Sequence, residues 1–81
     1  MRDGQTLTYA DLLEAAQQAA KASGLTQTAV ADALGVSQGA ISHALSREGA
    51  RYSALQVKIV EHLTPFTLAE AAVKYVASRR G

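Results

Sequence analysis

Four small or hydrogen-bonding residues share one face of a short helix predicted to begin after Ser37. At about 100° per residue, this face contains Gln38, Gly39, Ser42 and His43. Amide, hydroxyl and imidazole groups both donate and accept hydrogen bonds, whereas glycine adds no bulk. A glycine inside a helix costs about 0.5–1 kcal/mol relative to alanine. The pattern therefore predicts a surface that approaches another molecule closely and bonds its polar groups.

The opposite face of this helix is apolar, and so is one face of the helix predicted before it. The apolar residues of the two faces are Val30, Ala31, Leu34, Ile41, Ala44 and Leu45. Only Gly35, Val36 and the predicted cap Ser37 separate the two helices. A short turn that contains glycine is typical of a helix-turn-helix, whose second helix enters the major groove of DNA.

DNA base edges match the chemistry of the polar face. A glutamine amide can bond adenine through N6 and N7, and a serine hydroxyl can either donate or accept. Gly39 would let the backbone approach a base edge or a thymine methyl group. We therefore expect base contacts from Gln38, Gly39, Ser42 and His43.

A recurring pattern predicts where the helices begin. A hydrophobic residue directly precedes a Ser or Thr, and a second apolar residue lies five positions after that hydrophobic residue. This is the arrangement of an N-cap with a hydrophobic staple. The pattern occurs at Leu7-Thr8, Leu25-Thr26, Val36-Ser37, Tyr52-Ser53 and Phe66-Thr67. Gln56 and Glu70, three residues after their caps, would complete capping boxes. The predicted helix ends lie at Gly24, Gly35, Gly49 and Pro65.

These signals predict an all-α fold of five helices, at about 8–23, 26–34, 37–46, 53–63 and 67–78. We identify no segment that alternates with period two, so no strand is expected. Residues 1–6 and 79–81 are expected to be tails. At 81 residues the chain is expected to be a single domain, 1–81, with one modest core.

Composition limits the other classes of function. The chain has no cysteine, which removes disulfides and thiol chemistry and favours a reducing cytoplasm. No apolar run approaches a membrane span, and no signal-peptide core is present. The net charge is only +1, so positive charge for DNA must be local.

Catalytic and metal chemistry lack a suitable set of residues. His43 and His62 have no close Asp, Glu or His at ligand spacing, so no metal site is expected. Ser37 and His43 suggest a nucleophile and a base, but Ser37 is needed as a cap and no third group orients the histidine. We therefore expect no catalytic residue, no cofactor and no small-molecule substrate.

The segment LTQTAVADALGVSQGAISHAL, residues 25–45, resembles the helix-turn-helix of the phage lambda repressor and Cro class of DNA-binding proteins. The matching residues are Gln27, Val30-Ala31, Leu34-Gly35-Val36, Ser37-Gln38, Ile41 and Leu45. More loosely, a long first helix followed by four shorter ones, with SALQVKIVEHL as the fourth, is similar to the five-helix N-terminal domain of these repressors. The resemblance implies a transcriptional repressor or Cro-like phage or prophage regulator that binds an inverted-repeat operator as a dimer.

The resemblance also implies roles for individual residues. Gln38 would contact a base, Gln27 would contact a phosphate and brace Gln38, and positions 39, 42 and 43 would set specificity. Phosphate contacts are expected from the helix caps and from the loop after the third helix. The residues concerned are Thr26, Gln27, Ser37, Ser46, Arg47 and Arg51.

The fifth predicted helix offers a dimer interface, because it carries more apolar surface than so small a fold can bury alone. The residues are Phe66, Leu68, Ala72, Tyr75 and Val76. The same residues can instead close the core of the monomer. Two alternative functions also remain open: an antitoxin that represses its own toxin–antitoxin operon, and a helix-turn-helix module that binds protein and no longer touches DNA.

Overall fold

The computed structural model describes residues 1–71 and 74–80. In chain order the elements are β1 (Thr6–Leu7), α1 (Tyr9–Ser23), α2 (Gln27–Leu34), α3 (Gln38–Ala44), α4 (Ala50–Leu63), β2 (Phe66–Ala71) and β3 (Lys74–Arg79). The strands pair antiparallel in the order β1-β3-β2. The described residues therefore form an α+β fold with four helices and a three-stranded sheet, and the prediction of an all-α, five-helix fold is wrong.

The segment predicted as a fifth helix, 67–78, forms a β-hairpin instead. Burial alternates along its strands, and the buried residues are Phe66, Leu68, Tyr75 and Ala77. Within each strand the buried residues are two positions apart, which is the period of a strand with one face on the core. The alanines of this segment favour a helix, but strand pairing and burial override that weak local preference.

The predicted caps are correct for the first three helices. Their N-cap hydroxyls each accept a backbone N–H three residues later, and these caps are Thr8, Thr26 and Ser37. The helix α4 differs, because it begins at Ala50 after Gly49. Ser53, its predicted cap, lies inside the helix, where its hydroxyl donates to the Ala50 carbonyl.

The core lies between the helices and one face of the sheet. Its residues are Leu7, Leu12, Ala16, Val30, Ala31, Ile41, Ala44, Ile59, Val60, Phe66, Leu68, Tyr75 and Ala77. Ile41 and Ala44 of α3 are completely buried. The underside of α3 is therefore anchored in the core, and its other face is left at the surface.

The fifth helix predicted to carry a dimer interface is absent from the described residues, and those of its residues that the structure describes lie in the hairpin. Phe66, Leu68 and Tyr75 are only 9%, 8% and 7% exposed and belong to the core of a single chain. Val76 lies half-buried in β3, and Ala72 lies outside the described residues. The apolar surface that suggested a dimer is thus used mainly to close the monomer.

Residues 1–6 and 79–80, predicted to belong to tails, are part of the fold, and residue 81 lies outside the described residues. The Asp3 carboxylate accepts the backbone N–H of Arg79 at 3.2 Å. The Arg80 guanidinium donates to the carbonyls of Glu61 and Thr64 at the end of α4. A cation suits this position, because the last carbonyls of a helix have no partner within the helix. Residues near both ends of the chain therefore secure the sheet and α4.

Candidate nucleic-acid interface

The outer face of α3 carries the four residues predicted to contact bases. Gln38, Gly39 and His43 are exposed, and Ser42 is half-buried. Buried residues at 41 and 44 alternate with them around the helix, so the two faces differ in chemistry as the sequence predicts. This arrangement leaves a polar ridge, formed by these four residues, at the surface.

The first residue of this ridge is held by a partner from α2. The Gln38 Nε2 donates to the Gln27 Oε1 at 2.7 Å, and both side chains are exposed. One N–H of Gln38 is used in this bond, which leaves its second N–H and its Oε1 available. Those two groups complement N7 and N6 of adenine. The pair therefore orients Gln38 without consuming the atoms that base recognition requires.

The N-termini of α2 and α3 lie next to this pair in the chain. The hydroxyl of Thr26 accepts the Ala29 N–H, and that of Ser37 accepts the Ala40 N–H, both at 3.1 Å. Neither helix has an acidic residue in its first turn. The positive ends of the two helix dipoles are thus not neutralised locally, which favours an approaching phosphate.

The loop after α3 and the start of α4 supply two cations. Arg47 and Arg51 are exposed, and the guanidinium carbon of Arg51 lies 5.7 Å from the ring centre of Tyr52. Ser46 is less available than the sequence suggests, because its hydroxyl donates to the Ser42 carbonyl at 2.8 Å. The phosphate contacts expected from this region therefore depend mainly on the two arginines.

Two glutamines outside the motif contact the end of α3, and sequence reasoning missed both roles. Gln56 is completely buried and donates to the carbonyls of Ala44 and Arg47, so it does not complete a capping box. Gln17 of α1 donates to the Leu45 carbonyl at 2.8 Å. The position of Gln56, on the buried face of α4 and three residues before Ile59, was the one available signal for a buried amide.

A groove of about 440 Å³ lies elsewhere, between the N-terminal segment, α1 and residues 64–66. No residue of α2 or α3 lines it. Among residues 1–71 and 74–80, no three His, Cys, Asp or Glu side chains lie together as a metal site would require. No described helix combines the length and apolar character needed to cross a bilayer.

No protein-family model, curated protein or solved structure matches this chain.

Replacing Gly39 with leucine separates folding from binding. A Cβ at this position meets no atom within 4 Å, and the position is exposed, so a side chain here can project into solvent. We expect the melting temperature to be unchanged or higher, because leucine favours a helix over glycine by up to about 1 kcal/mol. DNA binding is expected to weaken, because the side chain would hold α3 away from the bases. A thermal melt and a binding assay on the same variant measure both, with Ala22→Leu, an exposed position of α1, as the control. Wild-type affinity in Gly39→Leu would contradict the proposed close approach.

Proposed function

We propose that the protein is a cytoplasmic, sequence-specific DNA-binding regulator of transcription that inserts α3 into the major groove. The observation that carries this proposal is the bond between Gln38 and Gln27 on an exposed helix face whose underside is buried. The bond preorganises a donor and an acceptor at the end of α3 that would enter the groove first.

Base recognition would be shallow and confined to the first turns of α3. Gln38 would bond an adenine, and Ser42 and His43 would bond the polar edges of neighbouring bases. Gly39, between them, would allow the helix backbone to approach a thymine methyl group. A specificity that depends on few side chains also depends strongly on how accurately α3 is placed.

Phosphate contacts would supply most of the affinity. The candidates are Thr26, Gln27 and Ser37 at the two helix N-termini, with Arg47 and Arg51 in and after the following loop. Because the net charge is only +1, this local set has to account for attraction to DNA. Neutralising phosphates releases counterions, so affinity should fall steeply as salt rises.

Regulators of this type bind symmetric operators as dimers, and we propose a homodimer on an inverted repeat. The half-site centres would then be about 34 Å apart, or one helical turn of DNA. Repression would follow if such a site overlaps a promoter. A Cro-like phage or prophage regulator is the form that residues 25–45 favour.

Selection of bound duplexes from a random pool tests the function. We expect enrichment of an inverted repeat. In Arg47→Ala the logarithmic salt slope should become shallower by about 0.9 for each phosphate that is no longer neutralised. Arg79→Ala is the control, because Arg79 is an exposed cation in β3, outside α2 and α3. Failure to enrich any sequence at low and at moderate salt would reject the proposal. It would instead favour the module that binds protein, an alternative to which the low net charge also points.

A further inference from the structure

The C-terminus of α3 lacks the glycine that ends α1 and α2. Its C-cap, Leu45, stays right-handed, at φ −87° and ψ −2°. The last carbonyls of a helix need partners from elsewhere when no left-handed cap supplies them. Ser46 bonds the carbonyls of Ser42 and His43, and two glutamine side chains bond the two carbonyls that follow. Gln56 of α4 donates to Ala44 O at 2.9 Å, and Gln17 of α1 donates to Leu45 O at 2.8 Å.

Gln56 also reaches the loop that carries the first candidate cation. Its Nε2 donates to the Arg47 carbonyl at 2.7 Å, so one amide nitrogen joins the end of α3 to the loop. Its Oε1 is buried and has no hydrogen-bond partner in the described part of the chain. An apolar side chain would avoid burying that oxygen but would leave two carbonyls unpaired. The specific contribution of Gln56 is therefore the placement of the Ala44 and Arg47 backbone.

We propose that Gln17 and Gln56, hereafter the glutamine clamp, are positioning residues for DNA recognition. The clamp would fix the C-terminal end of α3 against α1 and α4, while the Gln27–Gln38 bond fixes its N-terminal end. Neither clamp residue needs to touch DNA. This inference rests on the proposed function and adds residues that set specificity through the orientation of α3.

The size of α3 explains why a clamp matters. The helix has seven residues, and only Ile41 and Ala44 are buried on its underside. Two buried side chains define a line about which a short helix can tilt. Hydrogen bonds to base edges weaken steeply when their angles are distorted, whereas contacts to phosphates by long side chains adapt. Loosening the clamp should therefore reduce specific binding more than non-specific binding.

Gln17→Ala tests the clamp in the full chain, with Gln18→Ala as a matched control. Both glutamines are exposed on α1, and Gln18 lines the groove away from α3. The measurements are the Kd for the selected operator, the Kd for a scrambled duplex, and amide hydrogen exchange at Leu45 and Ser46. For Gln17→Ala we expect operator affinity to fall about 2- to 10-fold, as for the removal of one hydrogen bond. Affinity for the scrambled duplex should be unchanged, and exchange at the two amides should be faster.

A double-mutant cycle with Gln38→Ala separates positioning from direct contact. If Gln17 acts through α3, its effect on operator binding should be smaller in the Gln38→Ala background, because one of the base contacts that depend on the orientation of α3 is then absent. If Gln17→Ala instead loses affinity equally for the operator and the scrambled duplex, Gln17 contacts phosphate directly. That result would overturn the positioning role. Gln56→Met is a second variant, which removes both N–H donors of the amide at similar side-chain volume. If this variant does not fold, the result for Gln17→Ala alone tests the clamp. A wild type that prefers no sequence overturns the proposed function and the clamp together. If the wild type prefers its operator but Gln17→Ala and Gln18→Ala bind that operator equally well, only the clamp is overturned.

Discussion

Replacing Gln38 with alanine is expected to weaken operator binding by about 10- to 100-fold, because a bidentate contact to a base contributes about 1–3 kcal/mol of discrimination. Folding should be almost unaffected. The side chain is exposed, its bond to Gln27 is also at the surface, and surface substitutions usually change stability by less than about 0.5 kcal/mol. The measurements are the operator Kd, the scrambled-duplex Kd and the melting temperature.

The hydrogen bond between Gln38 and Gln27 leads to a further prediction. Gln27→Ala should also weaken operator binding, because Gln38 then loses its fixed direction. The effects of the two substitutions should be less than additive, since the residues are in contact. Thr28→Ala, at the next exposed position of α2, is the control. If Gln38→Ala binds the operator with wild-type affinity, Gln38 does not contact a base, and the proposed interface loses its main support.

Replacing Phe66 with alanine is expected to destabilise the protein by about 3–5 kcal/mol, as truncation of a buried aromatic ring usually does. Phe66, the first residue of β2, is 9% exposed, and its side chain belongs to the core. A decrease of this size is a large part of the stability of about 5–15 kcal/mol that is typical of a domain. Urea denaturation at several protein concentrations measures the change.

The concentration series distinguishes a core residue from an interface residue. A core residue lowers the unfolding midpoint equally at every concentration, whereas a residue that acts only in a dimer shifts the association constant and leaves the monomer intact. Glu70→Ala, an exposed position on the same strand, is the control. A Phe66→Ala variant that unfolds like the wild type would contradict the packing of the sheet on the helices.

The helix-turn-helix region could be predicted from sequence because its signals are local. The cap hydroxyls of Thr26 and Ser37 lie within three residues of the N–H groups that they accept. Gly35 adopts φ 70° at the turn, a left-handed conformation that favours glycine. Each signal can be identified within a window of a few residues, so it requires no knowledge of the rest of the fold.

The hairpin could not be identified in the same way. Its stability depends on pairs such as Leu68 with Ala77, and on the core beneath them. The alanines of the segment satisfy both a helical and a strand pattern, and a Thr after Phe66 imitates a helix cap. The two-residue strand β1 is too short to give any periodic signal. Tertiary pairing decided between the two local possibilities.

The candidate site also combines features that local sequence predicts with features that depend on tertiary contacts. The exposed face of α3 follows from helical periodicity alone. The bonds of the glutamine clamp join residues 28, 12 and 9 positions apart in the chain, and glutamine spacing gives no sign of them. Sequence therefore indicated which residues lie on the exposed face of α3, whereas the structure was needed to find which residues hold that helix in place.

Titration of the ¹⁵N-labelled protein with its selected operator duplex tests the central claim most directly. We predict that the largest amide shift changes will occur at Gln38, Gly39, Ser42 and His43, with smaller changes at residues 26–27 and 46–51. Residues that line the groove beside α1, such as Glu14 and Gln18, should not move. Saturable changes that leave α3 unaffected, or no change at duplex concentrations well above micromolar, would contradict the placement of α3 in the major groove.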